Sequence, residues 1–230
     1  MKKQPMSSPW IWEPSNEFIR NTNVYKFMQR LGFSTLEEFL KFSKQEPETF
    51  WRELDHEVNI EWLQPYEKVL DTTKGIPWTR WFVGGKINIT HNCLDRHAKG
   101  FAANALACLW EGENGNCRSV TFSELYTKVN QLANALRQLG LQKGDRVALC
   151  MPMIPEVLTI LYACFKTGLV AVPIFTGFGA TAISTRLDNC GARVLFTADG
   201  LSRRGQILPL KEKLDQALLT APSVEKVIVF

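Results

Sequence analysis

A chain of 230 residues with 45% hydrophobic and 22% charged residues has the composition of a soluble globular protein with one large or two small domains. It holds no apolar stretch near the roughly 20 residues that span a bilayer, and its N-terminal MKKQPMSSPWIWEPSNEF lacks the apolar segment of a secretory signal. The net charge of +4 forms no basic stripe, which favours a small anionic ligand over nucleic acid. We therefore expect a cytoplasmic protein with no membrane and no nucleic-acid partner.

Cysteine and histidine spacing argues against a metal site. The six cysteines contain no CxxC pair, several lie within apolar runs, and the three histidines have no zinc-like spacing to them. This usage is typical of reduced, mostly buried cysteines in a cytosolic protein.

Residues 1–95 form a region with its own composition. Six of the seven tryptophans lie within the first 81 residues, and the apolar spacing is irregular. Ser34 and Glu37 match a capping box, which predicts a helix from there with Leu36, Phe39 and Leu40 on one face. We expect short helices and loops over a larger body, with the tryptophans packing against that body rather than binding a ligand.

The pattern becomes regular after residue 95. A helix fits residues 97–110, and SVTF at 119–122 reads as a short strand. Thr121 and Glu124 then form a capping box for a helix that Gly140 ends in a left-handed cap.

Buried strands and amphipathic helices alternate through the rest of the chain. The strands are DRVALCM, LVAVPIF, RVLFTAD and VEKVIVF, and the helices cover 155–168, 180–189 and 206–219. Continuous apolar strands of this kind lie in a parallel sheet covered by helices on both faces. The fold class is therefore α/β, a layered parallel-sheet domain preceded by a Trp-rich helical and irregular region.

Two strand ends carry residues suited to an anionic ligand. Gly177 and Gly179 follow one strand, and Arg203 and Arg204 lie beside glycines after the next. Ala182 stands where a dinucleotide fingerprint needs its third glycine, and no Walker A motif occurs. From these residues alone, a ligand turn and a plain strand-to-helix connection both stay open.

A polar group at the start of the α/β region comprises His91, Asp95, Arg96 and His97. We interpret Asp95 as a helix N-cap or as one half of an Asp–Arg pair rather than as an acid–base catalyst.

Several longer segments together carry a family resemblance. They are SKQEPETFWRELDHEV at 43–58, NITHNCLDRHA at 88–98, the stretch 121–170, IFTGFGATAISTRLDNCGARVLFTADG at 174–200 and LPLKEKLDQAL at 208–218. In this order they resemble the AMP-forming acyl-CoA synthetases, within the acetyl-CoA synthetase branch of the adenylate-forming enzymes. The resemblance implies an N-terminal cap region at 1–95 and the first, truncated part of the AMP-binding domain at 96–230.

The resemblance also implies a reaction. A carboxylate, acetate or another short chain, attacks ATP to give an acyl-adenylate, and the thiol of CoA then displaces AMP, with Mg²⁺ balancing phosphate charge. The family's phosphate loop would follow residues 226–230, so the ATP and Mg²⁺ sites lie outside this chain. We therefore predict that the chain alone is inactive. Two alternatives remain: a noncatalytic or split-enzyme remnant that packs with a separate chain, and an adenylating enzyme with another acyl acceptor.

The residues that the resemblance carries over concern CoA. Phe175 would offer a stacking face to the adenine, Gly177 would admit the backbone to the nucleotide, and Arg203 would bind phosphate. Gln206 replaces a second arginine of the family pattern, and Arg204 is the candidate to take over its contact. No catalytic residue and no metal ligand is predicted within this chain.

Overall fold

The computed structural model describes residues 12–230, in two compact units that meet between Lys86 and Ile87. The first eleven residues, which include Trp10, lie outside the described residues. The predicted domain boundary at 95/96 stays a prediction.

The first unit is mainly helical. Its elements are α1 (Asn16–Asn21), α2 (Asn23–Arg30), α3 (Leu36–Gln45), α4 (Pro47–Val58), β1 (Lys68–Asp71), a 3₁₀ turn (Ile76–Trp78) and β2 (Arg80–Val83). Phe27, Met28 and Phe39 are buried and form its apolar core. The cap of α3 is Thr35, which accepts from the Glu38 amide, so the predicted capping box is one residue out of register. The antiparallel β1–β2 pair was not predicted.

A buried carboxylate organises part of this unit. Asp55 is 8% exposed and accepts hydrogen bonds from Trp62 Nε1 and Tyr66 Oη, each at 3.0 Å. Burial, together with the bond to Asp55, raises the pKa of Tyr66. These contacts satisfy a polar group inside the unit, which is a structural role.

The second unit is the α/β layer that the sequence predicts. After a π-helix (His91–Asp95), its elements are α5 (Arg96–Ala98), β3 (Leu106–Glu111), β4 (Cys117–Thr121), α6 (Phe122–Gln138), β5 (Arg146–Cys150), α7 (Glu156–Thr167), β6 (Val170–Pro173), α8 (Ala180–Cys190), β7 (Val194–Thr197), β8 (Gly200–Arg203), β9 (Gln206–Pro209), α9 (Leu210–Leu218) and β10 (Lys226–Val229). The sheet has the order β10-β7-β5-β6 with all pairs parallel, and β3–β4 and β8–β9 are separate hairpins.

Helices cover both faces of this sheet. Val147 and Phe196 pack with buried residues of α6 and α7, whereas Ala148 and Leu195 pack with those of α8 and α9. Neighbouring strand residues point to opposite faces, so a strand buried on both sides must be apolar throughout. This confirms the predicted layered parallel sheet.

Several predicted helix ends are also confirmed. Thr121 and Glu124 form the capping box of α6, with both reciprocal hydrogen bonds present. Gly140 and Gly168 adopt the left-handed conformation just after α6 and α7, at φ of 81° and 74°.

Two predicted helices are wrong in part. Residues 97–110 were expected to be helical, but only Arg96–Ala98 form a short turn of α-helix and Leu106–Glu111 form β3, paired with β4. Residues 206–209 were also expected to be helical and instead form β9, paired with β8. In both cases hairpin pairing outweighs local helix propensity. Pro209 then suits the start of α9, where its missing N–H costs nothing.

The expectation of mostly buried cysteines is wrong as well. Cys150 and Cys164 are buried, while Cys93 and Cys117 are exposed and the other two are intermediate. Burial raises the pKa of Cys150 to about 11 and that of Cys164 to about 12. These two thiols belong to the hydrophobic core.

Across residues 12–230, every helix is too short or too polar to cross a membrane. The same residues contain no group of three His, Cys, Asp or Glu side chains that could hold a metal ion.

Candidate functional site

The two predicted ligand segments follow β6 and β7, the strands on either side of β5, at the same edge of the sheet. Because all four strands are parallel, their carboxyl ends lie at the same edge, where α/β domains bind ligands. The turn at 175–178 follows β6 at this edge. The β8–β9 hairpin, which carries both candidate arginines, follows β7.

The turn at 175–178 presents an aromatic ring. The Phe178 amide donates to the Phe175 carbonyl at 3.2 Å, which closes the turn. The Phe175 side chain is 60% exposed and packs edge-on against Phe178, with centroids 5.5 Å apart. Its ring lies over Gly177: a Cβ placed there would be 2.7 Å from Phe175 Cζ and closer still to Cε1. Gly177 therefore makes room for the ring of Phe175.

A cation supports this aromatic pair from α8. The Arg186 guanidinium carbon lies 4.1 Å from the centroid of the Phe178 ring, a cation–π distance. Arg186 Nη1 also donates to the Ala182 carbonyl at 2.8 Å, which fixes the guanidinium on its own helix. Arg186 on α8 thus contacts Phe178, and Phe178 in turn contacts the exposed ring of Phe175.

A second cation reaches the turn from α9. Lys213 Nζ donates to the Thr176 carbonyl at 2.6 Å, across 37 residues of sequence. Lys213 is partly buried. The first strand of the hairpin contacts α9, and the second leads into it directly, so α9 touches both predicted segments.

The β8–β9 hairpin carries both arginines at its tip. Arg204 and Gly205 form the two-residue turn with φ of 53° and 74°, as in a type I′ hairpin, and Arg203 pairs with Gln206. Within residues 12–230, neither guanidinium makes a hydrogen bond or an ion pair, and both side chains are exposed. The two cations are therefore available to an anion.

One carboxylate lies beside this tip. The Arg204 amide donates to Glu113 Oε1 at 3.2 Å, joining the hairpin to the β3–β4 turn. A negative charge there opposes the binding of a phosphate by the two arginines.

A concave surface lies on the same hairpin but away from its tip. It is lined by Asp199, Gly200, Leu201, Ser202, Ile207 and Pro209. Neither the arginines nor Phe175 belongs to it.

The polar group at 91–97 has a different arrangement from the one predicted. Both carboxylate oxygens of Asp95 accept from Lys166 Nζ at 2.9 Å, and no side-chain hydrogen bond from Asp95 caps α5. Lys166 also lies 4.8 Å from the centroid of the Tyr126 ring. Asp95 therefore links the π-helix to α7, and its predicted capping role is wrong.

Sequence reasoning missed Lys213, Arg186 and Glu113. A signal existed for Lys213: it shares a helical face with Leu210, Leu214 and Ala217, which are all buried. A lysine on a buried face needs a polar partner, and here that partner is a backbone carbonyl. No comparable local signal marks the other two residues.

Comparison with known families defines the class. The sequence profile of the family described as AMP-binding enzyme matches residues 94–229, and that described as acetyl-coenzyme A synthetase N-terminus matches residues 36–93. The first match spans more than half of the chain, so the chain belongs to the AMP-binding enzyme family. The resemblance drawn from the sequence is thereby confirmed.

Individual relatives are similar over nearly the whole chain. An acetyl-coenzyme A synthetase of Methanothrix soehngenii is 39% identical over 96% of this chain and 33% of its own length. A 3-hydroxypropionyl-coenzyme A synthetase of Sulfurisphaera tokodaii is 39% identical over 88% of this chain and 33% of its own length. The structure of an acetoacetyl-CoA synthetase from Streptomyces lividans matches with a TM-score of 0.86 and 27% identity, covering 95% of this chain and 34% of that one. The chain spans about a third of the length of these relatives.

Proposed function

We propose that this chain is the N-terminal part of an AMP-forming acyl-CoA synthetase. The complete enzyme activates a short-chain carboxylate with ATP and Mg²⁺ to an acyl-adenylate and transfers the acyl group to CoA. The observation that carries the proposal is the match of both family profiles in order, together with relatives named for acetyl-CoA and 3-hydroxypropionyl-CoA synthesis. With it we propose a domain organisation, which is a cap region at 1–95 followed by a truncated AMP-binding domain at 96–230.

The contribution of this chain to the reaction is a platform for the nucleotide end of CoA. The exposed ring of Phe175 offers a face on which an adenine stacks. The guanidinium groups of Arg203 and Arg204 lack partners among the described residues and donate to phosphate oxygens. The turn and the hairpin hold CoA while its thiol attacks the acyl-adenylate; the residues bind and orient, and none of them transfers a proton.

Two contacts change how CoA is expected to fit the residues that the resemblance implies. The space beside Gly177 is filled by the Phe175 ring, so the nucleotide approaches the outer face of that ring rather than the glycine backbone. Glu113 puts a carboxylate at the hairpin tip, which lowers the attraction for phosphate. Arg204 therefore contributes less than Arg203 in this proposal.

The chain alone is proposed to be inactive, because it spans about a third of its relatives. Because the chain spans about a third of its relatives' length, a second function is also compatible with the comparisons. In that case the chain is a remnant that packs with a separate chain carrying the missing part. Reading the gene beyond codon 230 separates the two: a downstream in-frame phosphate loop supports truncation, and a true stop with a separate complementary frame supports a split enzyme. Cytoplasmic location and the absence of a nucleic-acid partner stay predictions.

The test of the CoA platform uses the full-length polypeptide that contains this sequence. We expect Phe175→Ala and Arg203→Ala each to raise the KM for CoA about tenfold, as loss of a stacked ring or a charge-assisted hydrogen bond does. ATP–pyrophosphate exchange, which needs no CoA, is expected to stay unchanged. Matched controls are Phe101→Ala and Arg137→Ala, which alter exposed side chains of the same types elsewhere in the unit.

Unchanged KM for CoA in both site variants would remove Phe175 and Arg203 from the CoA site. Detectable exchange by purified residues 1–230 would contradict the proposed inactivity of the chain alone.

A further inference from the structure

The turn that carries Phe175 has an anchor outside its own segment. Thr176 lies in the middle of the turn, and its carbonyl accepts from Lys213 Nζ at 2.6 Å. The flanking backbone bonds are Ile174 N–H to the Leu149 carbonyl at 2.7 Å and Phe178 N–H to the Phe175 carbonyl at 3.2 Å. The first joins the turn to β5 and the second lies within the turn. The bond from Lys213 is the side-chain contact that ties the centre of the turn to α9.

Lys213 lies on a helix that is packed firmly against the sheet. Leu210, Leu214 and Ala217 of α9 are almost fully buried, so the helix has little freedom relative to the sheet. A charged donor on such a helix forms a shorter and stronger bond to a carbonyl than a neutral donor does. The position of the Thr176 peptide is therefore set by α9.

The position of this peptide controls the ring that precedes it. Gly177 follows Thr176, and the Phe175 ring lies against the Gly177 backbone with no room for a Cβ. Phe175 is also 60% exposed, so apart from its edge-on contact with Phe178 the ring has little packing of its own to hold it in place. If the Thr176–Gly177 peptide rotates, the surface on which the ring rests is lost.

We infer that Lys213 is a positioning residue for the CoA site: it fixes the Thr176 carbonyl and thereby holds the Phe175 ring in the orientation that stacks on the nucleotide. This inference rests on the proposed function. It assigns to Lys213 an effect on CoA that passes through the turn, without a contact to CoA. The alternative explanation is that Lys213 contacts CoA directly. An ammonium has three N–H donors, and only one of them is used on Thr176.

The test compares three variants of the full-length polypeptide. Lys213→Met removes the donor and keeps the apolar stem, and Lys213→Arg keeps a cationic donor. Lys211→Met is the matched control, because Lys211 lies on the same helix and pairs with Asp215. We expect Lys213→Met to raise the KM for CoA about fivefold, with ATP–pyrophosphate exchange unchanged, and the other two variants to remain within about twofold of the parent.

Hydrogen exchange separates positioning from direct contact. In the CoA-free protein, Lys213→Met is expected to speed exchange of the peptide covering 174–179, and Lys211→Met to leave it unchanged. A raised KM with unchanged exchange of that peptide would mean direct contact and overturn the inference.

A further outcome separates this inference from the proposed function. If Phe175→Ala raises the KM for CoA and Lys213→Met does not, the inference fails and the CoA platform stands. If neither Phe175→Ala nor Arg203→Ala changes the KM for CoA, the platform itself fails, and the inference fails with it. If Phe175→Ala alone has no effect, the ring is not part of the platform, and the inference fails while the arginine contact stands.

Discussion

Arg193 binds Glu225 through two parallel hydrogen bonds, from Nε to Oε1 at 2.8 Å and from Nη2 to Oε2 at 2.9 Å. Its third nitrogen, Nη1, donates to Asp145 Oδ2 at 2.6 Å. Asp145, Arg193 and Glu225 each lie immediately before a strand, β5, β7 and β10 respectively. One arginine therefore ties together the amino ends of three neighbouring parallel strands, at the edge opposite the candidate site.

This cluster predicts a dependence of stability on acid. Hydrogen bonds from the Gln142 amide and from Arg193 lower the pKa of Asp145, and the bonds from Arg193 lower the pKa of Glu225. Unfolded carboxyls titrate near 4. Carboxylates with a lowered folded pKa contribute stability that is complete above that value and is lost as the pH falls through the folded pKa.

We expect Arg193→Met to lower the melting temperature at pH 7 by a few degrees and to flatten the loss of stability below pH 4. Thermal unfolding of both proteins between pH 7 and pH 3 measures both effects, with Arg137→Met as the control. If the stability of the parent and that of Arg193→Met fall in parallel as the pH is lowered, the cluster is not the source of the acid dependence.

Gly177→Ala is predicted to displace the aromatic platform. A Cβ at 177 meets the Phe175 ring, and because that ring is exposed it swings away at little cost in stability. We expect the KM for CoA in the full-length polypeptide to rise about fivefold, with a melting temperature close to the parent value. Gly179→Ala is the control, since a Cβ there has no atom within 4 Å among the described residues. An equal effect of both substitutions would show that the ring contact is not responsible.

Glu113→Gln is predicted to strengthen CoA binding. Glutamine keeps an oxygen that accepts from the Arg204 amide and removes the negative charge beside the two arginines. We expect the KM for CoA to fall about twofold at low salt and the difference to shrink at high salt, as screening predicts. Glu111→Gln, in the same hairpin and also exposed, is the control. A raised KM for CoA in Glu113→Gln would contradict a repulsive role for the carboxylate.

Leu214→Ala is predicted to destabilise the α/β unit. Leu214 is fully buried between α9 and the sheet, and truncation of such a leucine costs about 2–5 kcal/mol in the free energy of unfolding. Leu219, just after the same helix, is 85% exposed, so Leu219→Ala should change that free energy by less than about 0.5 kcal/mol. Urea unfolding followed by circular dichroism provides the comparison, and similar values for the two variants would contradict the packing of α9.

The thiols are predicted to fall into two reactivity classes. Cys150 and Cys164 are buried, and burial raises their pKa to about 11 and about 12, so at pH 8 they are protonated and shielded. Cys93 and Cys117 are exposed. Alkylation at pH 8 with peptide mapping should modify the exposed pair in the native protein and the buried pair after unfolding in urea. Native labelling of Cys164 at the rate of Cys117 would contradict the core position of α7.

The fold of the second unit could be predicted wherever its signals are local. The Thr121–Glu124 capping box and the cap at Gly168 each lie within one helical turn, and the apolar runs of the strands need no partner to be recognised. For residues 97–110 and 206–209, the helices predicted from local signals are wrong. Their conformation depends on pairing with β4 and β8, and short-range propensity does not contain that information.

By itself the sequence determined the class of this protein, through the family resemblance of its longer segments. It also located the two turns of the candidate site, because a turn after a buried strand is a local pattern. The tertiary structure alone decided how those segments are held. Lys213 meets Thr176 across 37 residues, and Glu113 meets Arg204 across 91. Such contacts arise where packed helices and strands bring distant side chains together, and only the three-dimensional arrangement of those elements specifies them.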